Sequence, residues 1–223
     1  MALHELLRDR RSVRGFLPHA VPREEVEKVL RAARTAPSGA NLQPGRFHVL
    51  TGEPLAALSR ELVDMAASGR PPVAEYSYFP NPMPAELKAK QRAAGYALYS
   101  QLGIGRRDIE GRKAQFLENY RFFSAPVGIV VSIRRDMGKG CFMDLGMAIM
   151  ALMLAAQDRG LATCGIGALA NYADIAHAHL GLKSEEMVVC GMALGYADPE
   201  ARVNDVRTER DPLEEYAVLR GFS

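Results

Sequence analysis

Apolar positions along the chain fall into two periodicities. Val26, Val29, Leu30 and Ala33 recur at three- and four-residue spacing, which predicts a helix with one buried face. Pro22, with Glu24 and Glu25 behind it, suits the first turn of that helix, and the pattern stops before Pro37-Ser38-Gly39. Phe47 to Leu50 is a short apolar run closed by Thr51-Gly52-Glu53-Pro54, predicting a strand and then a turn. Helices are expected over Leu55 to Ala67, Ala85 to Ser100 and Arg107 to Tyr120. Val127 to Ile133 is continuous and β-branched, the pattern of a strand buried on both faces. Asp144 to Arg159 is apolar nearly all round, which predicts a central buried helix capped by Gly160. Val188 to Leu194 reads as another buried strand ending at Gly195-Tyr196. The tail from Asn204 is polar and then carries Leu213, Tyr216, Val218 and Leu219. Helices and strands mix without regular alternation, favouring an α+β fold over a doubly wound sheet.

The texture changes between residues 68 and 84, where Gly69, Pro71, Pro72, Pro80, Pro82 and Pro84 break any regular element around Tyr76, Tyr78 and Phe79. A proline-rich loop carrying aromatic rings inside a compact domain is either a binding lid or a surface excursion with its rings packed down.

Composition narrows the function classes. The 28 basic residues nearly balance the 26 acidic ones, so no nucleic-acid surface is expected. The start of the chain lacks an apolar signal region. The most apolar stretch, Leu145 to Ala156, is about half the length that spans a bilayer. A cytoplasmic protein without membrane partners is therefore expected. Cys141, Cys164 and Cys190 are odd in number, widely spaced and set in apolar segments, which predicts buried small side chains rather than disulfides or a metal site.

Familiar catalytic signatures are missing: no G-x-S-x-G, HExxH, phosphate-binding Walker loop or G-x-G-x-x-G occurs. His177 and His179 lie about 200° apart on a helix and are expected to be solvated or capping. Three elements remain. In Arg10-Arg11-Ser12-Val13-Arg14, three guanidinium groups crowd one turn; they either fan into water or meet an anion, whose phosphate geometry they match. Pro37-Ser38-Gly39-Ala40-Asn41-Leu42-Gln43-Pro44 offers donors, acceptors and a close backbone approach, or is simply a turn. The glycine-rich stretch Gly160 to Gly167 can present backbone N–H groups to a ring, or serve as a helix cap and tight connection.

In this order the three elements resemble the FMN-dependent nitroreductase family. So do Ala125-Pro126 before a strand, Gly195-Tyr196, and Arg207-Thr208-Glu209-Arg210-Asp211-Pro212-Leu213. The later half, from Phe122 to Tyr196, looks like the branch that reduces nitrobenzenes and nitrobenzoates. The resemblance implies one domain over residues 1–223 with a variable lid or insert at about 68–106. It also implies an α+β sandwich whose central, mostly antiparallel sheet is flanked by helices, in an intertwined homodimer with FMN at the interface. Carried over position by position, Arg10 and Arg210 hold the FMN phosphate with Arg11, Ser12 and Val13 alongside, and Arg207 assists. Arg14 reaches the N1/O2 edge of the ring. Pro37, Ser38 and Asn41 come from the other subunit, with Gly39 beside them, and Gly165, Ile166 and Gly167 lie against the ring near N5. Gly39, Ala40, Tyr76, Tyr78 and Phe79 are the expected acceptor-binding residues. Gly45-Arg46 stands where this family often has a tryptophan, and the side chains with which related dehalogenases clamp halotyrosine have no clear counterpart.

The implied activity is two-electron, ping-pong reduction of a small nitroaromatic acceptor by NADH or NADPH, from nitro through nitroso to hydroxylamine. The flavin carries the chemistry, with no catalytic side chain and no metal. Two alternatives stand beside it: the same flavoenzyme fold with another acceptor (halophenols, quinones, enones or a biosynthetic intermediate), and a non-catalytic flavin-binding protein.

Overall fold

A computed structural model describes residues 2–222; the first and last positions of the expected domain lie outside the described residues. The centre is a four-stranded sheet formed by β1 (Arg46–Thr51), β2 (Val127–Arg134), β3 (Ala162–Ile166) and β4 (Glu186–Gly195), in the order β1-β2-β4-β3. Every neighbouring pair is antiparallel. β2, the β-branched run, and β4 form the central pair, with most of their side chains buried on both faces. Their register slips by one residue between Val131 and Ser132, which leaves Val189 as an extra residue on β4, a β-bulge.

Helices cover both faces. Val127, Ile129, Val131 and Ile133 of β2 pack with Val26, Val29 and Ala33 of α2 (Arg23–Ala33) and with Leu145, Leu152 and Ala156 of α6 (Lys139–Asp158). Val130, Val188 and Ala193 face the opposite layer. That layer holds Leu55, Leu58 and Leu62 of α3 (Gly52–Ala67), Leu117 of α5 (Ile109–Leu117), and Ala173, Ile175 and Ala176 of α7 (Ala173–Leu180). This is the expected α+β sandwich with an antiparallel sheet. Short α1 (Leu3–Asp9) and α8 (Leu213–Tyr216) frame the chain, and α4 (Ala85–Gln101) buries no residue.

Several local expectations change. Pro22 is the N-cap of α2 rather than its first helical residue. Thr51 to Pro54 is no turn, because α3 begins at Gly52 with Thr51 as its N-cap. The stretch from Gly160 to Gly167 is mostly strand: β3 pairs with β4 from Ala162 to Ile166, and only Gly167 begins a 3-10 turn. His177 is half-buried and His179 stays exposed as expected of a solvated residue, and each pairs with a carboxylate, Glu75 and Glu61 respectively.

The largest change is α6. It starts five residues before Asp144 and runs for 20 residues, long and apolar enough by length and composition to cross a membrane. It is not a centrally buried helix. Only Leu145, Leu152 and Ala156 are buried, and Met143 remains 71% exposed. An apolar helix packed along one stripe leaves the remaining surface for something else to cover.

Candidate functional site

After α1 the chain runs along the free edge of β3. Ser12 bridges Thr163 in parallel, and the Val13 N–H donates to the Thr163 carbonyl at 3.0 Å. Val13 and Phe16 turn into the core, while Arg10, Arg11, Ser12 and Arg14 stay half-buried at its rim. Because the bridge is parallel, the chain passes from Arg10 to Arg14 in the direction that β3 takes towards Ile166. The three arginines therefore do not fan freely into water.

The C-terminal segment is held against them by one residue that sequence reasoning missed. Asn204 is 4% exposed. Its Oδ1 accepts from the Arg14 and Gly15 N–H groups at 2.8 and 3.0 Å, and its Nδ2 donates to the carbonyls of Gly15 and Asp198 at 2.8 and 3.0 Å. Gly15 is required here, since a Cβ would stand 2.5 Å from Ala201 Cβ. Asn204→Ala should leave buried backbone groups unpaired, lowering stability by about 2–3 kcal/mol. For a chain of this size that is a loss of roughly 5–10 °C in Tm. Thermal unfolding by circular dichroism checks this; a change under 2 °C would mean that the clamp is unimportant.

Between the two segments lies a cavity of about 410 Å³ lined by Leu7, Arg8, Arg10, Arg11, Ser12, Arg14, Val206, Arg207, Thr208 and Arg210. Six arginines line it and no carboxylate does. Arg207 donates to the Asn204 and Val206 carbonyls, and Arg210 to the Thr208 carbonyl and hydroxyl and the Glu209 carbonyl. Arg14 reaches the Ser12 carbonyl at 3.3 Å and lies 5.9 Å from the centre of the Phe123 ring. Arg10 and Arg11 have no salt bridge among the described residues, and Arg11 Nε is buried without a partner. Unpaired guanidinium groups around a cavity are costly unless an anion meets them. A phosphate-bearing cofactor such as FMN fits this donor set.

Pro37, Ser38, Gly39, Ala40 and Asn41 form a second, separate wall. Ala40, Asn41 and Gln43 all adopt positive φ, near 50–56°, a strained backbone of the kind that collects at ligand sites. Side chains help to hold the turn: Ser38 Oγ accepts the Gln43 N–H at 2.9 Å, and Asp144 of α6 accepts the Gly39 N–H at 3.0 Å. Gly45 (φ +96°) lets the turn press onto α6, because a Cβ there would lie 2.4 Å from Leu145. The adjoining cavity, about 220 Å³, is lined by Pro37, Ser38 and Gln43 but shares no residue with the arginine cavity. A single chain does not bring these two sets together.

The third set does meet the β3 edge. The ring of Tyr78 lies against Gly167, where an added Cβ would stand 3.2 Å from it. Tyr78 and Phe79 pack edge to face at 4.8 Å, and Tyr76 lies 6.4 Å from Tyr78. With Met83, Phe116 and Asn171 they surround a cavity of about 710 Å³. Gly165, exposed near the end of β3, offers a flat backbone surface, and Ile166 beside it is buried in the core. Burial pushes the Tyr76 phenol up, so it stays a donor at neutral pH. Cys164 is buried and the other two thiols half-buried, and burial pushes Cys190 up to about 12.

The Nitroreductase family model matches residues 7–196. Among characterised relatives, the 4-nitrobenzoate reductase of Pseudomonas putida is 36% identical over 96% of this chain and 93% of its own length. The chloronitrobenzene nitroreductase of Comamonas testosteroni is 37% identical over 97% and 96%. The crystal structure of the FMN and NADPH-dependent nitroreductase NfnB from sphigopyxis sp. strain HMH superimposes with a TM-score of 0.96 at 36% identity, covering 100% of both chains. The FMN-dependent NfnB from Mycobacterium smegmatis, solved with NADPH, gives 0.93 at 31% identity, covering 98% of this chain and 97% of that one. With the arginine cradle, the β3 edge and the fold all in place, the chain belongs to the nitroreductase family.

Proposed function

We propose that this chain is an FMN-dependent NAD(P)H oxidoreductase that reduces small nitroaromatic compounds and works as a homodimer. The observation that carries this reading is the carboxylate-free arginine cavity on the β3 edge, with an aromatic-lined cavity at the far end of the same strand. The relatives named above act on nitrobenzoates and chloronitrobenzenes, which fits an aromatic pocket of that size.

Flavin, when bound, supplies hydride transfer in two half-reactions, from the nicotinamide and then to the acceptor. Arg10, Arg11, Ser12, Arg207 and Arg210 would bind its phosphate. Arg14, set by the Asn204 clamp, would place positive charge at the pyrimidine edge, where negative charge collects on reduction. The exposed backbone at Gly165 and the absence of a side chain at Gly167 leave a flat face for rings to stack. Tyr76, Tyr78 and Phe79 would wall the acceptor and keep water off it. The acceptor takes one hydride and one proton in each step, and the nitro-to-nitroso step releases water.

A second subunit completes the site in this reading. The cavity at the Pro37–Asn41 wall shares no residue with the arginine cavity of the same chain, α6 leaves an apolar face open, and the apolar tail lies uncovered.

Under anaerobic conditions NADH or NADPH should bleach the yellow purified protein, and 4-nitrobenzoate should restore its colour within the turnover time. Flavin that stays oxidised with both donors, or bleached flavin that nitroarenes fail to reoxidise, would overturn the assignment.

A further inference from the structure

β3 ends at Ile166, opposite Gly191, but β4 continues back to Glu186. The bulge residue Val189 falls in this uncovered stretch, where backbone groups must find partners outside the β3 ladder. Two consecutive side chains from the proline-rich loop supply them. Glu75 Oε2 accepts the Val188 N–H at 2.7 Å, and the Tyr76 hydroxyl donates to the Val189 carbonyl at 2.6 Å.

The anchor is itself braced. Glu75 pairs with the Arg135 guanidinium, and His177 Nε2 lies 3.3 Å from its Oε1. Burial pushes the Glu75 carboxyl up, but Arg135, the Val188 N–H and His177 together outweigh it and hold it below the usual carboxylate range. Above the anchor, the Tyr76 ring lies 6.2 Å from Phe142 of α6 and begins the stack that continues to Tyr78 and Phe79 over Gly167.

We propose that Glu75 and Tyr76 are positioning residues for the acceptor: by completing the β4 bulge they fix where Tyr78 and Phe79 stand, and so set acceptor affinity rather than the rate of electron transfer. This rests on reading the aromatic cavity as the acceptor pocket. The loop is thereby a fixed wall stitched to the sheet at its base, with selectivity exerted by the rings beyond.

The test uses flavin-loaded Tyr76→Phe and Glu75→Ala proteins. Tyr76→Phe keeps the ring and removes only the hydroxyl. Both should raise KM for 4-nitrobenzoate fivefold or more while kcat stays within twofold and bound flavin is unchanged. Kd for benzoate, read from its perturbation of the flavin spectrum, should rise in parallel. Hydrogen exchange of the amides of Tyr76, Ser77, Tyr78, Phe79, Asn81 and Met83 should quicken at least tenfold in Glu75→Ala. His179→Ala, which removes the pair between His179 of α7 and Glu61 of α3, should change none of these. Unchanged KM and Kd in both variants, or a loss of kcat alone, would overturn the proposal. So would faster exchange confined to the Val188 amide. Should the unmodified chain turn over no nitroarene, the function proposed above fails, and benzoate binding with hydrogen exchange still decides this one.

Discussion

Replacing Arg10 by alanine is expected to yield protein that purifies largely without flavin. Arg10 lines the arginine cavity, makes no salt bridge among the described residues, and sits half-buried beside the edge of β3. A charge-assisted hydrogen bond to a phosphate contributes about 1.5–3 kcal/mol, or roughly a 10- to 150-fold weaker Kd at 1.4 kcal/mol per decade. Titrating apoprotein with FMN and following flavin fluorescence measures it. Arg14→Gln should behave differently. The Asn204 clamp grips the Arg14 backbone rather than its side chain, so the segment stays in place and flavin is retained. Loss of the positive charge proposed for the pyrimidine edge should disfavour the reduced form, lowering the two-electron potential by about 30 mV for each 1.4 kcal/mol lost. Equal loss of flavin in both variants, with no change of potential, would refute this division of labour.

Ending the chain after Pro212 is expected to dissociate the proposed homodimer and release flavin together. Leu213, Tyr216, Val218, Leu219 and Phe222 are all exposed in the single chain, Tyr216 by 83% and Phe222 by 81%. Covering one such side chain contributes about 1.5–3 kcal/mol, offset by the cost of ordering the tail. The net weakening of self-association should be at least a hundredfold. Sedimentation equilibrium with flavin absorbance recorded alongside would show it. A truncated protein that remains dimeric and yellow would remove the tail from the interface.

The strongly periodic segments were legible before the fold. β2 and β4 announce themselves as runs buried on both faces, and α2 by its one apolar stripe. The misreadings have specific causes. Gly165 and Gly167 suggested a loop, but Gly165 stands in the edge strand β3, where glycine leaves the backbone open to close approach, and only Gly167 begins the turn after it. Asp144 suggested the start of α6, although its carboxylate is occupied with the Gly39 N–H and leaves the helix free to begin earlier. Among the candidate site residues, the arginines could be named from their crowding. Asn204 could not: a single buried amide has no periodicity, and its role exists only because residues 190 positions apart meet. Glu75 was hidden for the same reason, since its partners Arg135, His177 and Val188 lie far along the chain.

That 190-residue separation bears on the order in which the molecule assembles. Closing so long a span costs conformational entropy that local contacts do not repay. The antiparallel pairing of β2 with β1 and β4, which closes shorter spans of chain, and the layers packed on it can form without it. The cradle of Arg10, Arg14 and Arg207 is therefore a late-closing structure, completed when both ends of the chain dock on a finished sheet. Before cofactor binds, those ends are also the first to open, by local fraying rather than global unfolding. Flavin then acts as a latch: it adds stability in proportion to the logarithm of its free concentration over Kd. Most of that gain should appear as slower amide exchange in residues 10–15 and 198–210, leaving the core strands almost unchanged.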